Sequence, residues 1–264
     1  MEKATLKKPL TMNNTSITSL FNQYFSVVPA DSEELIKEVY RIRHHVYCEE
    51  LGFEEQHANH LEFDEYDLHS THCLLLHKAS QSYAGCVRLI LGDKNNQDAK
   101  FPFEITTAEH LEWDFSKPPS HSRIKYGETS RLAITSKFRR RRGESSSPDG
   151  GVEGIDNSAD DERRRFPSVA LGLYLAATAI AMNKQLEGVF AIMEPRLARQ
   201  LRRFGFIFNQ VGEAIEHRGL RAPFIINTKD VSETLKPEYL ELLKNIQQQI
   251  HSPTQTKPLH NEQL

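Results

Sequence analysis

Apolar and polar positions change period several times along the chain, and each change marks an element. Phe25–Ala30 has the composition of a short strand. Asp31 and Ser32 then offer an N-cap, with Glu34 in the first turn that follows. From Leu35 to Cys48, the residues Leu35, Ile36, Val39, Ile42, Val46 and Tyr47 recur at helical spacing. Thr71–His77 and Tyr83–Leu91 read as two strands of a hairpin, joined by a polar turn at Lys78–Ser82. Asp93–Lys100 reads as a loop, Thr107–Phe115 as a short helix and Lys125–Thr135 as a strand.

The second half follows the same logic. Ser168–Met182 is an Ala/Leu-rich helix with the composition of a buried one, and Gly188–Met193 is a core strand. Glu194–Phe204 is amphipathic and meets Gly205, a C-cap residue. Phe206–Val211 and Pro223–Asn227 read as strands, and Val231–Ile250 as a terminal helix. Strands alternating with helices, together with one hairpin, predict a mixed α/β (α+β) domain around a central sheet. That domain spans residues 17–250. Polar tails at 1–16 and 251–264 and a Gly/Ser/Asp-rich insertion at 143–165 are expected to be disordered.

Composition narrows the class. The chain has 264 residues, enough for a large core, and a net charge of -3, which gives no general attraction to nucleic acid. No run approaches the ~20 apolar residues of a membrane span, and nothing at the N-terminus resembles a signal peptide. Cys48, Cys73 and Cys86 are widely spaced, form no CxxC pair and fit buried thiols in a reduced cytoplasmic protein. Several histidines surround residues 44–77, but they lack a recognised ligand spacing, so no metal is expected.

Charge within structure-forming segments is the anomaly. The strand at 125–135 carries Glu128 and Arg131, and alternation places them on opposite faces. A buried charge costs several kcal/mol unless it is paired, so the strand is an ion-paired scaffold or a site. A bulge between the two residues is required if both face one cleft. The same puzzle recurs in RHHVYCEELGF (43–53), EFDEYD (62–67) and GCVRL (85–89), and the strand itself contains ETSRLA (128–133).

This ordered set resembles the acyl-homoserine-lactone (autoinducer) synthases. With AIMEPRL (191–197), LRRFG (201–205) and HRGLRAP (217–223), it resembles more closely the acyltransferases associated with PEP-CTERM/exosortase systems. Long-chain N-acyl amino acid synthases share the plan. The resemblance covers about residues 25–228. It implies a GNAT-like fold, a sheet splayed at a cleft that admits a phosphopantetheine arm. It also implies acyl transfer to an amine from an acyl-carrier-protein or acyl-CoA thioester, with no bound cofactor. Phe53 stands where autoinducer synthases usually carry Trp, which sets this chain apart from S-adenosylmethionine users.

Aminolysis of a thioester needs a base, an oxyanion donor and alignment of the reactants. Glu128 is the candidate base, and a backbone N–H near Arg131–Leu132 is the candidate donor. Arg88 and Arg131 are expected to pair with Asp64 and Asp67. Arg43 is expected to order the same loop or to meet a substrate carboxylate, near Phe53. The resemblance implies that Arg139, Arg140, Arg141, Arg142 and Gly143 stand where GNAT enzymes place a pyrophosphate-binding loop before a helix. Arg199 and Arg202, with Arg196 and Arg203, line one helix face that either is simply solvated or docks an acidic carrier protein. Ser168–Met182 and Val189–Met193 are candidate walls of an acyl tunnel. Three readings remain open: an N-acyltransferase acting on a small amine, an acyl-homoserine-lactone synthase, and a catalytically silent carrier-protein-binding domain.

Overall fold

The computed structural model describes residues 16–116, 122–139 and 169–251. The expected insertion at 143–165 lies outside the described residues, as do the tails apart from Ser16 and His251, and as do Arg140, Arg141, Arg142 and Gly143.

Strands β1 (Phe25–Pro29), β2 (Ser70–His77), β3 (Ser82–Leu91), β4 (Tyr126–Ile134), β5 (Gly188–Met193), β6 (Asn209–Gln210), β7 (Ile215–Glu216) and β8 (Leu220–Asn227) form one sheet. Its order is β1-β2-β3-β4-β5-β8-β6, with β7 also paired to β8. Every pairing is antiparallel except β4 with β5. That parallel pairing is brief. It runs only from Tyr126↔Gly188 to Glu128↔Phe190, although both strands continue beyond. The sheet therefore opens between β4 and β5, beginning at Glu128.

Two faces bury different side chains. The back face packs on α1 (Ile17–Tyr24), α4 (Val169–Asn183), α6 (Thr228–Thr234) and α7 (Pro237–His251). Helix α4 is apolar all round and almost wholly buried, as its Ala/Leu composition predicts. The front face carries α2 (Glu33–Arg43) over Leu74, Cys86 and Ala133. Beside it lies an aromatic quarter of Phe101, Phe103, Phe115, Tyr126 and Phe190. Ser32 caps α2 by accepting the Leu35 N–H, as expected. Helix α5 (Pro195–Arg202) buries Ala198 and Leu201 against the back core and leaves Arg199 and Arg202 exposed.

Some expectations need correction. The helix expected at 107–115 is instead α3 (Pro102–Thr106), because Pro102 suits the first helical turn and Glu104 accepts the Phe101 N–H. The strand expected at 206–211 pairs only at Asn209–Gln210, and the terminal helix is broken in two ahead of Pro237. Ser16 is the N-cap of α1 rather than tail, and His251 belongs to α7. The helix expected to run to Cys48 is α-helical to Arg43 and then widens to a π-helix over His44–Glu50.

Gly205 sits at φ +103°, in the left-handed region. A Cβ there would run into the Thr234 carbonyl oxygen and lie 2.6 Å from the Leu235 Cα. Gly205→Ala is expected to cost about 2 kcal/mol or more, because strain and overpacking add. A lowered midpoint in thermal denaturation checks this, and an unchanged midpoint contradicts it.

Candidate active site

The site is built on a fault in one strand. Arg88 on β3 pairs with Ser130 on β4, while Cys86 pairs with Ala133, so β4 holds one extra residue there. Arg131 occupies the bulge at φ +50°, a conformation that few non-glycine residues adopt. Ser130 and Arg131 consequently both face forward: Ser130 Oγ accepts from Arg88 Nε at 3.0 Å, and Arg131 Nε reaches Glu62 at 3.1 Å. Leu132 then turns to the back core, and Ala133 to the front. The bulge needed for Glu128 and Arg131 to share a face is present.

Around it, arginines and carboxylates interlock. Arg43 is fully buried, with Nε on Glu62 Oε2 and Nη1 2.7 Å from Asp67. Arg88 Nη1 lies 2.6 Å from Asp64 and 3.0 Å from Asp67. Arg131 pairs with Glu62, with Glu54 at 3.0 Å and with Asp64 at 3.5 Å. The expected pairing of Arg88 with Asp64 and Asp67 is found. Arg131 takes Glu62 and Glu54 in place of Asp67, because the bulge aims it toward the start of the acidic loop. Arg43 orders this loop from a closed position, without access to a substrate carboxylate.

The loop is itself prearranged. Asp64 and Asp67 form a capping box for the single 3-10 turn Glu65–His69: Asp64 Oδ1 accepts the Tyr66 N–H at 3.0 Å and Asp67 Oδ2 accepts the Asp64 N–H at 2.8 Å. Burial opposes the charges of Glu62 and Asp67, yet the facing arginines outweigh it and hold both below the usual carboxylate range. His72 responds oppositely. Burial drives it down to about 4, so it stands neutral 3.5 Å from Asp67.

Glu128 belongs to a different environment. It is 3% exposed, sits where β4 and β5 part, and accepts the Phe103 N–H at 2.9 Å. Burial pushes its pKa to about 8, against the opposing pull of the Phe103 N–H, Arg88 and Arg131. It is thus a proton-exchanging group near neutral pH.

Behind the opening lies an apolar groove of about 440 Å³, counting the solvent at its mouth. Thr129, Ala177, Ala181, Ala191 and Met193 are among its walls. It lies between α4 and β5, the two segments expected to line an acyl tunnel. Leu132 accepts the Tyr47 hydroxyl at its carbonyl, at 2.9 Å. Phe53 lies beneath Arg218, whose guanidinium is 5.4 Å from the ring centre. Arg139 is drawn onto Glu50 of the π-helix, with its Nη1 buried and unpartnered. Arg199 and Arg202 stand on exposed α5, apart from the lattice of ion pairs.

Three further groups meet here. Glu62 is the hub of two arginines, and its place in the charged run was the available signal. Arg218 had only its place in HRGLRAP and Glu54 no signal, and 164 residues hid their meeting at 2.9 Å. The cysteines are free and buried, their thiols pushed up to about 11 for Cys48 and about 12 for Cys73 and Cys86. Such thiols make poor nucleophiles. His44, Glu49 and His60 lie close enough to hold a cation. However, His44 Nε2 accepts the His57 N–H at 3.2 Å, so its proton sits on Nδ1, which faces Glu49 at 3.2 Å. A hydrogen-bonded cluster explains these contacts.

Residues 42–146 match the acetyltransferase (GNAT) domain family. No curated protein sequence matches the chain. Among solved structures, the AHL synthase LasI is similar at a TM-score of 0.53 and 15% identity, over 80% of this chain and 93% of that one. BjaI, a CoA-dependent acyl-homoserine lactone synthase solved with SAM and isopentyl-CoA, is similar at 0.52 and 18%, over 88% and 90%. FeeM, an N-acyl amino acid synthase from uncultured soil microbes, is similar at 0.50 and 11%, over 80% and 95%. At these identities the likeness establishes the fold, which is that of a GNAT domain.

The raised pKa of Glu128 carries a stability consequence. The unfolded chain loses this proton near 4.5 and the folded chain near 8. Between those values the folded state binds more protons, so each rise in pH favours unfolding until the penalty is complete above about 8. Glu128→Gln is therefore expected to raise the melting temperature at pH 8.5 and to leave it nearly unchanged at pH 5. Equal shifts at both pH values would contradict the assigned protonation.

Proposed function

We propose that this protein is an N-acyltransferase that moves a fatty acyl group from a thioester to the amine of a small acceptor such as an amino acid. The observation that carries the reading is the opening between β4 and β5, with Glu128 at its apex, the Arg131 bulge on one wall and the apolar groove behind. A pantetheine thioester enters the opening, its acyl chain runs into the groove, and its carbonyl lies beside β4. Arg131 and Leu132 fall outside the regular pairing of β4 with β3. Their N–H groups are the proposed oxyanion donors.

The acceptor nitrogen attacks the thioester carbon. A C–N bond forms, and the amine's proton passes to the Glu128 carboxylate, directly or through one water. The oxyanion then collapses, the C–S bond breaks, and the thiolate leaves and takes up a proton. The high thiol pKa values of the three cysteines support direct attack without an acyl-cysteine stage. Arg43, Arg88, Asp64 and Asp67 act as positioning residues that hold the wall of the opening rigid.

The likeness to LasI and BjaI favours one second reading, lactone synthesis from S-adenosylmethionine. Phe53 in place of the usual Trp favours a different acceptor. Acyl-carrier protein and acyl-CoA are both proposed donors, and exposed Arg199 and Arg202 are the proposed docking face for an acidic carrier. Arg140, Arg141, Arg142 and Gly143, outside the described residues, are proposed phosphate contacts on sequence grounds. The motifs at 191–197, 201–205 and 217–223 support a role of the PEP-CTERM/exosortase-associated kind. Three buried free cysteines support a reduced, cytoplasmic setting.

Thioester consumption by purified protein tests the reading, with acyl-CoA and acyl-carrier protein as donors and mass spectrometry of the products. Glu128→Gln is expected to lower kcat/KM by about 100-fold or more. The wild-type rate should climb through pH 8 as Glu128 loses its proton, and the variant should lack that limb. Full activity in Glu128→Gln removes the base assignment. Lactones as the sole products favour the second reading, and carrier-protein binding without turnover favours a silent domain.

A further inference from the structure

The front-face lattice balances its charges with one arginine left over. Arg43, Arg88, Arg131 and Arg218 share Glu54, Glu62, Asp64 and Asp67. Among the described residues Arg221 enters none of these pairs, and its Nε is buried without a hydrogen-bond partner. Arg43 Nη2 and Arg139 Nη1 are likewise buried without a partner, but those guanidiniums already hold carboxylates. Arg221 holds none among the described residues, so an anion that completes it is stabilising.

Its position says which anion. Along β8, Ala222, Phe224 and Ile226 belong to the back core, whereas Ile225 joins the front aromatic quarter. Alternation therefore places Arg221 on the front face, the face of Glu128. Glu128 pairs with Phe190, and Phe190 with Ile225, so Arg221 lies two strands across and four residues along. Regular strand spacing and rise would put the two Cα atoms about 16 Å apart, and the parting of β4 from β5 adds to that. A glutamate side chain, an arginine side chain and a small amino acid between them bridge that span.

The hairpin that carries Arg221 is fixed to the bulge. Arg218 holds φ +54° at the hairpin tip and Gly219 φ +98°, and the Gly219 N–H donates to Glu216 at 3.1 Å. A non-glycine residue keeps such a conformation only where its surroundings impose it. Here the imposing contacts are Phe53 under the Arg218 guanidinium and Glu54 at 2.9 Å. The same Glu54 oxygen holds Arg131 at 3.0 Å. Bulge and hairpin are thus tied through one carboxylate. His217 lies within the field of Arg218, Arg221, Glu54 and Arg131, and burial and the arginines keep its pKa below the ordinary value.

We propose that Arg221, with His217 beside it, is a carboxylate subsite that holds the acceptor by its acid group and sets its amine toward Glu128. The inference rests on the acyl-transfer reading and narrows it to acceptors bearing a carboxylate near the amine, α-amino acids above all. Arginine meets a carboxylate through two parallel N–H bonds, which fixes orientation as well as position. An acceptor without the acid leaves Arg221 uncompensated.

The test compares glycine, L-leucine and L-phenylalanine with their amides as acceptors, following thiol release from acyl-CoA and from acyl-carrier protein. In wild-type protein the acids should exceed the amides in kcat/KM by about tenfold or more, mainly through KM. Arg221→Ala should shrink that ratio to near one, and Arg221→Lys should keep part of it. Melting temperatures establish that both variants fold, and the wild-type ratio stands on its own if they do not. Amides used as well as acids by wild-type protein, or an equal loss on both in Arg221→Ala, overturns the subsite and leaves acyl transfer standing. No acylation of any acceptor overturns the acyl-transfer reading and the subsite with it.

Discussion

Three arginines and three carboxylates removed together from water dominate this structure. Moving one such ion into a protein interior costs several kcal/mol, and a single partner rarely repays it. Arg43, Arg88 and Arg131 meet the cost by sharing partners, since Glu62 and Asp67 each serve two guanidiniums. Removing one member leaves its neighbours with one partner fewer each, and breaking a buried pair costs about 3–5 kcal/mol. Such a lattice contributes little net stability, and its effect is rigidity. It fixes a polar loop to three elements, α2, β3 and β4.

The bulge at Arg131 is the complement of that lattice. A regular β4 would send Arg131 into the apolar back core, where it would have no partner. One extra residue turns it forward at the cost of a left-handed backbone. The ion pairs to Glu62 and Glu54 supply the compensation. The same extra residue breaks the regular ladder just beyond the point where β4 parts from β5. Strain, charge pairing and the cleft are therefore one structural event, and the hairpin at Arg218 joins it through Glu54.

The sequence made part of this legible. Apolar pattern and composition located β2, β3, β4, β5 and α4 almost to the residue, because each is an uninterrupted run of structure-forming residues. The charges in β4 announced a bulge, since alternation left Arg131 no other way forward. Helix α3 and the break before Pro237 were less legible, because each depends on one proline outweighing an apolar pattern. The convergence of Glu54, Arg131 and Arg218 was invisible. Nothing in the chain marks residues so far apart as neighbours until β8 is known to lie beside β5. Glu62 was half legible: its charge stood out, but its role as the hub needed the position of Arg43 on the last turn of α2.

Glu128 shows why the lattice and the proposed chemistry are kept apart. The arginines that hold Glu62 and Asp67 ionised act on Glu128 as well, yet its pKa lies near 8. The difference is the neighbour on the other side. Glu62 and Asp67 are in direct contact with guanidinium groups, whereas Glu128 meets a backbone N–H and the aromatic quarter, so burial wins. Had β4 run straight, Arg131 would have faced the opposite side of the sheet, and the forward face would have had one cation fewer to close the loop. With the bulge, Arg131 is directed to Glu62 and Glu54, two residues of the acidic segment, and away from Glu128. One inserted residue thus separates the carboxylates of the acidic loop, which stay charged, from Glu128 on β4, which can exchange a proton.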